Sequence, residues 1–220
     1  MAANNRVSEV VIRRLPLYYR HLESLEKSGV TRISSAELGE QIGLTASQIR
    51  QDINFFGAFG QQGYGYNVRE LKTHLAGILG LDRGYHMIVV GVGNIGRAIL
   101  NYQSFYDRGF RIQALFDANP ALHDTRLRGI PVAPADTLQA YLSKHAVDIG
   151  VICTPREFAQ QTADILVAGG VRAIWNFAPV QISVPPQIPI NHVHLTDSLL
   201  VLSYKLAHSE QAALPSEEDF

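Results

Sequence analysis

The run His86-Met87-Ile88-Val89-Val90 leads directly into Gly91-Val92-Gly93-Asn94-Ile95-Gly96, and the segment 94–105 that follows reads as a helix. A short apolar run ending in glycine is the pattern of a buried parallel strand. The spacing G-x-G-x-x-G between such a strand and a helix leaves few folds open. The first glycine permits the tight turn, the second lets a pyrophosphate approach the backbone, and the third lets the helix pack on the strand. The helix N-terminus adds unpaired N–H groups and the positive end of a dipole, both suited to phosphate. The next strand, 111–117, ends in Leu115-Phe116-Asp117, which puts a carboxylate where the ribose hydroxyls of an adenosine should lie. An acid there favours NAD(H), because a 2′-phosphate would be repelled. A glycine turn needed only for packing, or a site for another adenine nucleotide, stays open on these residues.

Further strands are expected at 129–133, 148–154 and 173–178, with 193–196 a weaker candidate, and helices at 135–145 and 155–170 between them. Strand and helix in alternation predict a doubly wound parallel sheet. A last helix is expected over 197–211, and the polar tail 213–220 is expected to be disordered. Nothing in this half completes a dehydrogenase. Hydride transfer to a small substrate ordinarily needs a cation or proton donor beside the nicotinamide. His123, His145, His192 and His194 stand in no recognisable catalytic setting. His192 and His194 would share one face of a strand without further ligands, which favours a structural role over metal binding. Cys153, in an apolar strand, reads as a small buried hydrophobe.

Before Arg83 the period is helical. Val10, Leu15, Leu17, Tyr18, Leu22 and Leu25 fall near helical spacing, with Gly29 as a stop. Pro16 suits a first turn better than an interior, so the main helix is expected to start there. Ser34 or Ser35 caps a second, short helix, with Glu37 placed for a capping box and Gly43 at the end. Thr45 or Ser47 caps a third helix ending by Gly57, and Asn67 caps a fourth. Two short helices joined by a tight turn form a helix-turn-helix. Between the third and fourth helices lies the uncharged stretch NFFGAFGQQGYGYNV, residues 54–68. Phe55 and Phe56 are expected to close the third helix onto its core, the glycines to permit the turns of a wing, and Tyr64 and Tyr66 to brace it. In a winged helix the third helix enters the major groove and the wing lies along the minor groove or backbone. Thr45, Ser47, Gln48, Arg50 and Gln51 occupy the end of that helix where side chains reach phosphates and base edges, and Arg50 is its cation. A helical dimerisation module is the alternative.

Composition admits this division. A chain of 220 residues suits two modest domains, and 46% hydrophobic residues supply their cores. The net charge of −1 hides a mild asymmetry: ten Lys and Arg against eight Asp and Glu through Arg83, then nine against twelve, well short of a basic arm. No apolar run reaches the roughly 18 residues of a bilayer span, and the start lacks a signal-peptide pattern. The single cysteine excludes an internal disulfide and fits a reducing compartment. A cytoplasmic protein without membrane or metal partners is expected.

RLPLYYR (14–20), SSAELGE (34–40), IRQDINFFGAFGQQGYGYNV (49–68), GVGNIG (91–96), FDANP (116–120) and WNFAPV (175–180) occur in this order over nearly the whole chain. Together they resemble the Rex family of redox-sensing transcriptional repressors. The resemblance implies an α/β fold with an all-α-rich N-terminal part: a winged helix-turn-helix domain over 1–80, then a Rossmann-type doubly wound parallel sheet over 84–196. A C-terminal helix over 197–212 would be swapped between the protomers of a homodimer. Such a protein is not an enzyme; it binds an inverted-repeat operator in double-stranded DNA when NAD+ dominates and leaves it when NADH binds. On this resemblance Gly91, Val92, Gly93, Asn94, Ile95 and Gly96 hold the pyrophosphate and Asp117 the adenosine ribose. Tyr102 lies near the nicotinamide and responds to its redox state. Thr154 and Pro155, with Asn176 and Phe177, line the cofactor cleft. Arg50 contacts DNA from the recognition helix, and Ser34, Gln62, Gly63 and Tyr64 contribute from the second helix and the wing. Arg20 matches an arginine that pairs with an acid at the start of the partner's C-terminal segment. Two positions depart from the family pattern. The acid aligns with His194, with Asp197 one helical turn on, and the usual wing cation is Gln62, which removes one charge from the minor groove. An NAD-dependent oxidoreductase with a helical dimerisation domain, and a coenzyme A protein on the same sheet, are the competing readings.

Overall fold

The structure, a computed structural model, describes residues 7–57, 59 and 64–211. The chain divides into two compact units between Gly84 and Tyr85.

In the first unit α1 (Glu9–Lys27) begins at Ser8, whose hydroxyl accepts from the Val11 N–H at 3.3 Å. It does not start at Pro16, which lies inside it. Pro16 and Ile12 are exposed, so the Ile12 carbonyl that loses its intrahelical donor belongs to the solvent-facing side of the helix. α2 (Ser35–Ile42) and α3 (Ala46–Asn54) each carry a capping box, Ser34 with Glu37 and Thr45 with Gln48, and Gly43 ends α2 in the left-handed region at φ 71°. Asn67 caps α4 (Val68–Ile78). A two-stranded ribbon joins these helices: β1 (Arg32–Ile33) pairs antiparallel with β2 (Tyr66–Asn67). β1 is too short to show a period in the sequence. Gly65 makes the pairing possible, because at φ 68° a Cβ there would stand 2.5 Å from the Ile33 carbonyl oxygen. Leu15, Tyr18 and Leu22 of α1 meet Ile49 and Ile53 of α3 and Leu71 of α4 in one core. Phe56 packs against that core, but Phe55 is 39% exposed and does not close it. Ile49, Ile53 and Phe56 form the inward stripe at steps of four and three, and Phe55 falls beside it.

The second unit is built on a seven-stranded sheet. Its strands are β3 (Tyr85–Val90), β4 (Phe110–Asp117), β5 (Arg126–Leu127), β6 (Ile130–Pro134), β7 (Ile149–Ile152), β8 (Ala173–Asn176) and β9 (Ile190–His192). The spatial order is β5-β6-β4-β3-β7-β8-β9. Apart from the antiparallel edge strand β5, every pairing is parallel. Without that edge strand the order is the 3-2-1-4-5-6 winding of dinucleotide-binding folds. Alternation assigns side chains to opposite faces. Ile88, Val90, Phe116 and Ile152 pack under α7 (Leu138–Leu142) and α8 (Arg156–Ala168), whereas Met87, Val89, Leu115 and Val151 pack under α5 (Asn94–Asn101).

Two expectations change, and one face of the sheet is left partly bare. The helix over 94–105 is broken at Tyr102, whose ψ of 94° separates α5 from α6 (Gln103–Asp107). The break swings Phe105 onto Trp175, ring centroids 5.5 Å apart. The edge strand is 190–192 and not 193–196, because β8 ends at Asn176, paired with His192, and offers no ladder beyond it. Finally, no helix connects β8 to β9, so part of the α5 face of the sheet stays uncovered. Met87, Phe105, Phe110, Ile149, Trp175 and Ile190 line an apolar hollow of about 340 Å³ there. α9 (Leu195–Gln211) closes the described chain. No helix among the described residues is long and apolar enough to cross a membrane.

Replacing Pro16 by Ala restores the missing hydrogen bond at an exposed site. The variant is expected to gain up to about 3 kcal/mol in stability of the first unit, read as a higher denaturant midpoint for its transition.

Candidate functional site

The glycine turn is shaped by what surrounds it. Gly91 has φ 93°, and a Cβ there would stand 2.6 Å from the carbonyl carbon and oxygen of Cys153, so the backbone leaving β7 passes directly beside it. A Cβ on Gly96 would stand 2.1 Å from the Gly91 carbonyl oxygen, so α5 can lie on the turn only with glycine there. Gly93 is different: nothing lies within 4 Å of its Cβ position. Two of the glycines serve packing, and the third leaves open space at the N-terminus of α5. That terminus has no side-chain cap. Its N–H groups and dipole are available to an anion.

Asp117 ends β4 beside this loop. One carboxylate oxygen accepts from the Val92 N–H at 2.6 Å and the other from the Asn119 N–H at 2.8 Å. A carboxylate has about four acceptor sites, so two amide bonds leave capacity for a pair of hydroxyls. Asp117 lines a cleft of about 430 Å³ with Asn119, Asp136, Thr154, Phe158 and Thr162. Pro155 borders it, and the buried Thr154 Oγ1 has no hydrogen-bond partner among the described residues. A buried hydroxyl without a partner beside an uncapped helix end fits a polar ligand that supplies one. The residues present therefore fit a dinucleotide: Gly93 and α5 for the phosphates, Asp117 for the ribose, and the cleft for the base.

Asp136, Phe158 and Thr162 were missed in the sequence. Phe158 and Thr162 are four apart on α8, and Asp136 follows the C-terminal end of β6. The rule that ligands sit beyond the carboxyl ends of parallel strands would have found them.

A second hollow of about 330 Å³ lies on the other side of the loop, lined by Ile95, Ile99, Tyr102, Phe105, Trp175 and Phe177. Tyr102, 56% exposed at the helix break, starts an aromatic chain: its ring is 4.7 Å from Phe105, and Trp175 is 4.6 Å from Phe177. Asn176 lines neither hollow. It is fully buried, donating to the carbonyls of Ala178 and Val180 and accepting from the Ala178 N–H at 2.9 Å, so it organises the loop that carries Phe177. Its amide also meets His192 Nδ1 at 3.0 Å. Burial, and then the neighbouring His194, hold the His192 pKa below its ordinary value, which keeps Nδ1 an acceptor. Nε2 of His194 is 3.5 Å from the Gln181 amide, and Asp197 stands in the first turn of α9. No group of three His, Cys, Asp or Glu that could hold a metal occurs among the described residues. His123 and His145 contact the carbonyls of Asp117 and Tyr141 at 3.0 and 2.9 Å. Burial pushes the Cys153 thiol up to about 12, so it is not a thiolate near neutral pH.

In the first unit, the outer face of α3 presents Ser47, Gln48, Arg50 and Gln51, all exposed. Asn54, also exposed, continues that face and was missed; its position four residues after Arg50 was the available signal. Arg50 donates to Ser35 Oγ at 2.9 Å, which holds the guanidinium against the start of α2. Ser34 and Thr45 use their hydroxyls as caps, and Gln48 accepts from the Thr45 N–H at 3.0 Å. Tyr64 is 69% exposed and its carbonyl accepts from Arg32 at 3.3 Å, whereas Tyr66 is buried in the core. Gln62 and Gly63 lie outside the described residues. Arg20 is exposed on α1.

A helix-turn-helix unit carried on the same chain as a dinucleotide-type sheet is the build of a ligand-responsive DNA-binding regulator. Known proteins narrow this class. The family "CoA binding domain" matches residues 82–180, and "Putative DNA-binding protein N-terminus" matches residues 6–54. The redox-sensing transcriptional repressor Rex of Clostridium beijerinckii is 56% identical over 210 residues, covering 96% of this chain and all of its own. That of Thermoanaerobacter pseudethanolicus is 50% identical over 96% of this chain and 94% of its own. RSP, a Rex-family repressor, solved in complex with NAD+ and operator DNA, matches with a TM-score of 0.89 at 50% identity, covering 94% of this chain and 96% of that one. RSP in complex with NADH matches at 0.88 with 48% identity over 94% of this chain and 98% of that one. The chain belongs to the Rex family of redox-sensing transcriptional repressors.

The glycines separate packing from binding. Gly93→Ala is expected to melt as the wild type does but to bind NADH at least about tenfold more weakly, a loss of about 1.4 kcal/mol. Gly91→Ala is expected to lose the native fold of the second unit. Thermal denaturation and a fluorescence titration with NADH read both.

Proposed function

We propose that this chain represses transcription by binding operator DNA through α3 and the wing, and releases it when NADH occupies the second unit. The observation that carries the proposal is the pairing, on one chain, of an outward polar face on α3 with an uncapped glycine–helix turn beside Asp117. The close similarity to RSP in its NAD+–operator and NADH complexes supports the same ligands here. The operator is an inverted repeat in double-stranded DNA, and the working compartment is the cytoplasm. The protein acts as a regulator, with no catalytic step. The two redox forms differ in charge and ring shape at the nicotinamide, which faces the hollow around Tyr102. Each form stabilises a different arrangement, and the difference in their affinities is the coupling free energy that moves the operator equilibrium.

The active species is a homodimer in which α9 is exchanged between protomers. Leu195, Leu199, Leu200, Val201, Leu202, Tyr204 and Leu206 of α9 are all between 57% and 67% exposed. Apolar residues spread over more than one face of a helix are built to be buried, and an uncovered patch of this kind marks an association surface. Arg20, with His194 or Asp197 of the other protomer, takes the role of the state-dependent pair.

The test is operator affinity measured against NADH at fixed NAD+. Affinity is expected to fall as NADH rises, and an unchanged affinity refutes the sensor. Asp117→Ala should weaken NAD+ and NADH alike, by about 1 to 3 kcal/mol for a lost pair of charge-assisted hydrogen bonds. Gln62→Arg should tighten DNA binding and steepen the slope of log K against log salt by about one, as expected for one added phosphate contact. Leu199→Glu with Leu202→Glu should yield monomers in sedimentation.

A further inference from the structure

Asp52 lies on α3 between Ile49 and Ile53, on the face turned away from Ser47, Arg50 and Gln51, and is only 3% exposed. Its carboxylate is held from α1 on both oxygens. Arg14 donates from Nε to Oδ2 at 2.7 Å and from Nη2 to Oδ1 at 2.8 Å, and the Tyr18 hydroxyl donates to Oδ2 at 2.6 Å. Arg14 and Tyr18 are one helical turn apart, so a single face of α1 supplies the whole clasp. Tyr18 is fully buried, and Arg14 is 22% exposed at its side chain.

Such a group is a poor way to add stability. Taking a carboxylate out of water costs several kcal/mol, and apolar residues of the same volume often serve stability as well or better. What the clasp adds is direction. The Ile49 and Ile53 contacts are non-directional, and α3 has only 9 residues with which to resist sliding or rolling. A bidentate guanidinium–carboxylate pair fixes distance, plane and register together. A roll of one residue position turns an α-helix by about 100°, which would carry Arg50 and Gln51 off the outer face.

We propose that Arg14, Tyr18 and Asp52 are positioning residues for DNA recognition: the clasp sets the angle at which α3 presents its outer face, and operator selectivity depends on it. This rests on the reading of α3 as the recognition helix. The probe is the duplex that the wild-type full-length chain selects from a randomised pool, set beside a duplex of scrambled sequence. A wild-type chain that selects nothing overturns the DNA reading itself. The decisive variant carries Arg14→Met, Tyr18→Phe and Asp52→Leu together, which removes the clasp without leaving a buried charge.

It is expected to melt at or above the wild-type temperature and to bind NADH unchanged. Affinity for the selected duplex should fall at least about tenfold, while scrambled DNA is bound nearly as before, so the ratio of the two narrows. Asp52→Asn, which keeps shape and part of the hydrogen bonding, should lie between the variant and the wild type. A triple variant with wild-type affinity and selectivity overturns the proposal. So does one that loses both duplexes in step with a lower melting temperature, since the clasp would then be a stability element alone.

Discussion

The backbone at Cys153, just past β7, passes so close to Gly91, and that of Gly91 so close to α5, that neither Gly91 nor Gly96 has room for a Cβ. This contact brings together β3, β7 and α5 at the point where the strand order reverses. Everything assigned to the nucleotide follows from it. The open space at Gly93 faces the free end of α5, Asp117 reaches across to the Val92 N–H, and the two hollows lie on either side of the turn. A side chain at either tight glycine would move the helix off the strand and disperse these groups together.

The two units solve different problems with different forces. The second is organised by steric fit and by apolar strands covered on both faces, which places a ligand cleft at the carboxyl ends of the strands. The first is small, and its α3 has to be aimed as well as held. There a buried polar clasp from α1 supplies direction that hydrophobic contact lacks. α9 and the sheet face around Trp175 leave apolar side chains uncovered, which the proposed exchange of α9 between protomers would bury. Exposed apolar area on that scale is the mark of a surface meant for another protein chain.

Local signals were readable in the sequence. The caps (Ser34 or Ser35, and Thr45 or Ser47, of which the structure uses Ser34 and Thr45, with Asn67), the stop at Gly43, the alternation of strands and helices, and the glycine turn all depend on a few adjacent residues. Expectations failed where distant contacts decide. Pro16 sits inside α1 because its face is wet, and Phe55 turns outward because Phe56 already fills the inward stripe. The helix breaks at Tyr102, where Phe105 turns onto the distant Trp175, and β1 exists only because β2 returns to it. The cleft residues Asp136, Phe158 and Thr162 are scattered along the chain and meet only when the sheet is wound. Asp52 carried no signal of its own in the sequence, because its burial is decided by Arg14 and Tyr18 on another helix.

By itself, the amino-acid sequence determined the class of the fold, the glycine turn and the acid beside it, because glycine spacing and apolar periodicity act over one strand and one helix. Only the tertiary structure decided which glycines are packing and which is open, what Asn176 and Asp52 hold, and which surfaces remain bare. Those outcomes depend on distances between segments remote in the chain, and such distances exist only once the strands are paired and the helices are docked.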